Sequence, residues 1–325
     1  LVVTLIVITA VMVLANCTMP TQRLWLLTIQ GELGLVLNSD WLSKFFMVLV
    51  VCIYPLYYTV IASLSEPENV LSGKVYLWIK GFTLDSYRSV IDYKMIWTGY
   101  RNTLLYTFVG TAYNLTLLIP ASYALSKKEM KLRGPLMMMF VFTVYFGGGM
   151  IPTYMNLKRL GLINSRWVLI LPGAFSVYNM IITRTFFASN FSESLAEAAR
   201  IDGAGEIRIF FQLALPLSSA IIAVMALYHA VAHWNSYFNA LLYLNDAGKY
   251  PLQLVLRQVL LLNSAINIDT ASMSTEEIMD LVRRQKLAET MKYAVIFIAN
   301  APVLAMYPFV QKYFTKGVMI GSVKG

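Results

Sequence analysis

Apolar residues in this chain come in long blocks separated by short polar stretches. Blocks long enough to cross hydrocarbon lie at about 42–63, 102–125, 135–155, 167–188, 217–242 and 293–314, since a helix needs about 20 apolar residues to span about 30 Å. The pattern predicts an all-α fold: a polytopic membrane helical bundle with six core transmembrane helices. A further apolar run, Leu1 to Ala15, is short for a span and lacks the basic flank of a signal peptide. It reads as an extra helix, an interfacial helix or part of a longer one. Residues 1–40 are therefore set apart from a membrane domain over 41–325. No 20–50-residue repeat and no soluble domain interrupts the pattern.

The polar stretches set the orientation. The loop Ser126–Gly134 holds Lys127, Lys128, Lys131 and Arg133 against Glu129, which places it on the cytoplasmic side. Counting spans puts the loop at 190–216 on the same side and the long polar segment at 245–290 outside. Lys158, Arg159 and Arg166 then fall outside, against the positive-inside bias. Within 245–290, Ser274 and Glu277 form a capping box ahead of the apolar stripe Ile278, Leu281 and Val282. That predicts a short external helix.

Loop 190–216 carries local signals of its own. Asn190 with Glu193, and Ser194 with Glu197, are overlapping capping boxes. Gly203 offers a left-handed stop. A helix of roughly ten residues is marginal alone, so it needs a docking partner, and Leu195, Ala198, Ala199 and Asp202 give it a face of small side chains. A second amphipathic run has Ile207, Phe210, Phe211 and Leu215 as its apolar side, and Pro216 ends it before the next span.

Polar and aromatic residues inside spans are where a pathway would show. The fifth span contains His229 and His233, one turn apart, the spacing of a metal pair or of two packing histidines. They are the only histidines, spacing names no third ligand, and no metal site is expected. Trp234, Asn235, Tyr237 and Asn239 follow. Aromatic faces and amides suit a carbohydrate path, and equally an interfacial aromatic belt. In the third span Tyr145 precedes Gly147, Gly148 and Gly149, which either allow close packing or unwind the helix, packing being the commoner cause. Asn102, Asn114, Asn179 and Arg184 are further polar positions, and Arg184 is expected to snorkel to headgroups.

Composition fits the same class: 58% hydrophobic, 13% charged, mean hydropathy +0.62, against about a quarter charged in soluble domains. The net charge of +9 sits mostly in loops facing membrane lipid and calls for no nucleic acid. Cys17 and Cys52 read as small hydrophobes. No GxxxxGK[ST] phosphate loop occurs, so the chain is not expected to be an enzyme. Few acidic residues lie within the spans, which argues against an ion-coupled secondary transporter.

The run EAARIDGAGEIRIFFQLALP at 197–216 resembles the signature cytoplasmic loop of ABC-importer permeases: EAA, three residues, Gly, nine residues, Ile, one residue, Leu-Pro. Glu197, Ala198, Ala199, Gly203, Leu215 and Pro216 fall in register, and Leu213 replaces the Ile. The stretches YPLYYTVIASLSEP, GFTLDSY, RNTLLYT, IPTYMNLKRLGLINS, TRTFF and HWNSYFNALLYLND look like carbohydrate permeases of the maltose-importer type, above all the branch for oligosaccharides released from polysaccharides. The resemblance implies that Glu197, Ala198, Ala199, Asp202, Gly203 and Pro216 couple the pore to ATPase subunits. It implies that the tail GVMIGSVKG, with Gly317, Gly321, Lys324 and Gly325, reaches the ATPase dimer. Further implied are a second permease subunit in a heterodimer, two ATPase subunits that handle ATP and Mg, and an extracytoplasmic solute-binding protein contacted by the loop before the last span. No cofactor is bound by this chain itself. The implied cargo is an oligosaccharide, and the external cations Lys158, Arg159, Arg166 and Arg257 suggest an acidic one; a non-sugar solute on the same chassis is the alternative. The implied location is the bacterial cytoplasmic (inner) membrane, as a multi-pass protein.

Overall fold

A computed structural model describes residues 39–264, 286 and 290–305 of the chain, with side chains over 47–259, 286 and 290–305. Among these residues no strand forms; one isolated bridge joins Ser65 and Phe82. The chain divides into two compact units, residues 1–92 with 262–298 and residues 93–261 with 299–325. The N-terminal segment, the external helix expected from Ser274, and Gly317, Gly321, Lys324 and Gly325 of the tail lie outside the described residues.

In the first unit, α1 (Ser39–Ser63), α2 (Pro67–Leu71) and α3 (Asp85–Asp92) follow one another. Ile61, Ala62, Val70 and Val75 are buried together, with Tyr58 and Tyr293 packed against them. The hydroxyls of Tyr54 and Tyr57 donate to the carbonyls of Tyr76 and Leu77, fastening the loop after α2 to α1.

The second unit is built on α4 (Lys94–Ser126), 33 residues long and hence roughly 50 Å from end to end. Around it lie α5 (Arg133–Tyr145), α6 (Met150–Arg159), α7 (Val177–Asn190), α8 (Glu193–Ile201), α9 (Glu206–Leu217), α10 (Ser219–Trp234), α11 (Phe238–Tyr243) and α12 (Leu252–Ser264). A last helix, α13, covers Thr290–Ala305. On α4 the buried positions Asn102, Thr103, Tyr106, Thr107, Gly110, Asn114 and Leu118 form one stripe at helical spacing. Leu104, Leu105, Phe108 and Val109 on the other side are exposed. Polar inside and apolar outside is the arrangement hydrocarbon selects. Lipid tails are as apolar as leucine, so small residues and polar bonds, not hydrophobicity, bring helices together. Gly110 shows this: a Cβ there would stand 2.4 Å from His233 Nε2. Gly99 does the same against the backbone of Leu252 (3.0 Å).

Within the described residues the predicted spans contain apolar helices, but several are broken. α4 is the one unbroken helix long and apolar enough to cross a membrane among the described residues. The third span is α5 and α6, bent by 113° at Phe146–Gly149. Gly149 has φ +82, and added Cβ atoms at Gly147 and Gly149 would meet nothing within 4 Å. Within this chain these glycines unwind the helix; close packing does not explain them. The fourth span breaks between a 3₁₀ turn at Arg166–Leu169 and α7, where Pro172 and Gly173 intervene. The fifth ends at Trp234, and α11 resumes after a gap of three residues. α12 was not expected: its apolar run is too short for a span and was read as part of a polar external segment.

Candidate coupling site and translocation path

The signature loop folds as two short helices at one end of α4. α8 stops where the sequence said it would. Gly203 is left-handed (φ +80), its N–H donates to Arg200 O at 3.0 Å, and Ala204 N–H donates to Ala199 O at 2.9 Å. These two bonds make a Schellman ending. The start differs from expectation, and neither capping box forms. Ser192 is the N-cap without a side-chain cap bond, its Oγ 2.6 Å from Ser194 Oγ, and Asn190 donates to Phe186 O at the end of α7. The preceding helix had the better claim on Asn190.

Ala196 is the buried residue of α8, with Ala199 and Arg200 half-buried beside it. Leu195, Glu197, Ala198, Ile201 and Asp202 are exposed, Ile201 at 86%. Leu195, Ala198 and Ile201, three apart, thus present a face that nothing among the described residues covers. In α9 the apolar side is also shifted. Ile209, Phe210 and Ala214 are buried, whereas Ile207 and Phe211 are exposed. A π-helical turn follows over Phe210–Ala214 and interrupts the regular α-helical repeat. Pro216, with no N–H to give, follows at once. The helix carries one residue past it and turns by 79° into α10 at the buried Ser218.

Ion pairs tie this region to the lysine-rich loop between α4 and α5. Arg200 Nε donates to Glu206 Oε1 at 2.8 Å and its Nη1 to Glu129 Oε1 at 3.3 Å; Lys128 Nζ is 3.6 Å from Glu193 Oε2. The two loops that charge and span counting assigned to one side therefore do share one end of α4. Arg184, expected to snorkel, instead donates to Leu125 O at 2.9 Å, satisfying a carbonyl at the end of α4.

The opposite end of α4 carries a knot of hydrogen bonds. Asn102 Nδ2 donates to the carbonyls of Gly248 (2.9 Å) and Tyr250 (3.1 Å), Tyr106 OH to Lys249 O (2.7 Å), and Leu252 N–H to Thr103 Oγ1 (2.8 Å). Asn164, at φ +57, accepts the N–H groups of Asn245 and Asp246 on Oδ1 and Lys249 Nζ on its carbonyl. This brings the cationic loop of Lys158, Arg159 and Arg166 to the end of α4 away from the lysine-rich loop, as the span count required despite their charge. Asp246 is held below the usual carboxylate range by the Gly248 N–H and then by Lys249, with Arg166 adding its field.

The candidate path residues scatter. Trp234 is buried and its Nε1 donates to Ala299 O at 3.1 Å, which makes it a packing residue. Asn235 ends α10, donating to Val231 O, and Asn239 lies on the separate helix α11. Asn239 and Tyr237 are exposed, with the Arg257 guanidinium 5.7 Å from the Tyr237 ring centre. Tyr145, 79% exposed, ends α5 just before the bend. His229 and His233 meet the Asn114 amide at 2.8 and 3.3 Å, and Asn179 lies 3.4 Å from His229 Nε2. They pack between α4, α7 and α10. Arg200 and Asn164 were not singled out by the sequence, although both fall inside stretches that carry the family resemblance.

Described residues that are mostly helical, with outward apolar faces and broken spans, fit an integral membrane permease. A model of the family "binding-protein-dependent transport system inner membrane component" matches residues 96–320, and the chain belongs to that family. It is a permease subunit of a binding-protein-dependent ABC importer. It is 41% identical over 279 residues to the polygalacturonan/rhamnogalacturonan transport system permease protein YtcP of Bacillus subtilis, covering 86% of this chain and 95% of that one. It is 40% identical over 277 residues to the protein LplC of the same organism, covering 85% and 90%. The crystal structure of a bacterial ABC transporter involved in import of the acidic polysaccharide alginate matches with TM-score 0.75 and 32% identity, over 88% of this chain and 98% of that one.

Proposed function

We propose that this chain is one half of a heterodimeric permease that imports acidic oligosaccharides of the uronate type, with ATP and Mg handled by two separate ATPase subunits docked on α8. The observation that carries the coupling role is the uncovered Leu195, Ala198 and Ile201 face on a helix with a fixed stop at Gly203. Closure of the ATPases moves α8, and α9 hands that movement through Ser218 to α10. ATP and a loaded solute-binding protein bias one equilibrium between inward-facing and outward-facing states.

Polygalacturonan and alginate, named for the relatives, are both polyuronates, which supports the acidic cargo. Lys158, Arg159 and Arg257 have no carboxylate partner among the described residues, and they sit where a carboxylate-bearing solute would arrive. Tyr237, beside Arg257, is the path residue best placed to stack on a sugar ring, with Asn235, Asn239 and Tyr145 nearby in sequence or at the broken span. Vesicles holding the full importer test this: oligogalacturonate should accumulate with ATP, and a neutral oligosaccharide of equal length should not. Uptake that survives ATP depletion under an ion gradient would overturn the ATP-driven reading, and equal uptake of both sugars the acidic one.

A further inference from the structure

Arg200 sits within the signature motif yet faces away from the docking surface. Its guanidinium reaches Glu206 at the start of α9 and Glu129 in the loop after α4, while Lys128 of that loop reaches Glu193 at the other end of α8. Both ends of the docking helix are thereby held to one loop. That loop follows α4 closely: Lys127 N–H donates to Ala124 O, and the Lys127 ammonium lies 4.8 Å from the Tyr123 ring centre and 5.1 Å from that of Phe191. Lys127, Glu129 and Met130 also line a cleft of ≈ 780 Å³ together with Arg200, Glu206 and Ile207. The bond from Arg200 to Glu129 therefore lies in the lining of this cleft.

We propose that Arg200 is a positioning residue that makes the loop after α4 a second arm of the coupling joint. Movement of α8 reaches α4 through Glu129, in parallel with the route through α9 to α10. α4 carries at its far end the knot that holds residues 245–252, so this arm ties the ATPase side to the outer face through one unbroken helix. The proposal rests on reading α8 as the ATPase-docking helix.

The test uses the complete importer in lipid vesicles and reads sugar taken up per ATP hydrolysed. Arg200→Ala should lower that ratio about fivefold with ATPase subunits still bound and basal hydrolysis kept. Glu129→Ala should lower it in the same direction, and Arg200→Lys should retain most of it. The double variant should be no worse than Arg200→Ala alone, because two groups acting through one contact do not add. An unchanged ratio in Glu129→Ala, or losses that multiply in the double variant, overturns the proposal. So does loss of ATPase binding in Arg200→Ala alone, which would place Arg200 against the ATPase itself. The underlying reading fails separately, if Gly203→Pro leaves ATPase association and uptake at wild-type levels.

Discussion

The two ends of α4 are held by different forces. At one end, Asn102, Thr103 and Tyr106, all buried, bond the main chain of residues 248–252. At the other, Arg200, Glu129, Glu206, Lys128 and Glu193 pair at the surface, with side chains 35 to 80% exposed. Buried bonds to backbone are directional, and leaving one unmade costs the full desolvation of its partner. Exposed ion pairs contribute little and exchange readily with water and salt. One end is built to keep its geometry and the other to rearrange without unfolding.

The largest break in that contrast should come from Asn102→Leu. It strands the carbonyls of Gly248 and Tyr250 together, and the cost should be about 2–4 kcal/mol, seen as a fall in thermal unfolding temperature of the purified complex. Arg200→Ala should leave that temperature unchanged. A matching fall in both would erase the distinction. Next comes Gly110→Ala, in the middle of α4. Its new Cβ would stand 2.4 Å from His233 Nε2, and α4 and α10 must part, at about 1–3 kcal/mol. Preserved stability with the His233–Asn114 contact intact would show that the interface yields more than its geometry implies.

Gly203→Val acts at the yielding end and should touch function alone. The position is left-handed at φ +80 with nothing within 4 Å of an added Cβ. The strain is therefore backbone only, about 1–2 kcal/mol, and confined to a helix of nine residues. ATPase association and coupled uptake should fall while the unfolding temperature of the membrane part holds. Retained association would count against α8 as the docking helix.

The sequence made one end of α4 far more legible than the other. The Gly203 stop follows from a signal a few residues long, a left-handed glycine, and the shared side of the lysine-rich and signature loops from a charge excess plus a count of spans. The outer knot rests on partners more than 140 residues apart, Asn102 with Gly248 and Tyr250, and no local pattern encodes such a pairing. Asn164 needed its φ of +57 to be noticed. The apolar side of α9 was legible only in part: Phe210 is buried as expected, but Ile207 and Phe211 stay exposed while Ile209 and Ala214 are covered. Trp234 was a plausible sugar platform by type and a packing residue by position, since composition cannot tell an aromatic that lines a path from one that closes a core.

The smallest expected effect lies at Asp246, and it separates charge from geometry at the knot. Its carboxylate accepts from Gly248 N–H at 2.9 Å and pairs with Lys249 Nζ at 3.3 Å. These hold its pKa below the ordinary value of 3.8. A depressed carboxylate stabilises the folded form above its unfolded pKa, and that contribution is lost as pH falls through the lower, folded value. Asp246→Asn keeps an acceptor for the Gly248 N–H and removes the charge. Hydrogen-exchange protection at Gly248 should therefore be slightly lower in Asp246→Asn than in the wild type at neutral pH. The two should converge once pH drops below the ordinary carboxylate range. The knot itself should persist there, because Asn102, Tyr106 and Asn164 do not titrate at acid pH. A difference that survives at low pH would mean that the shape of the side chain, not its charge, orders this turn.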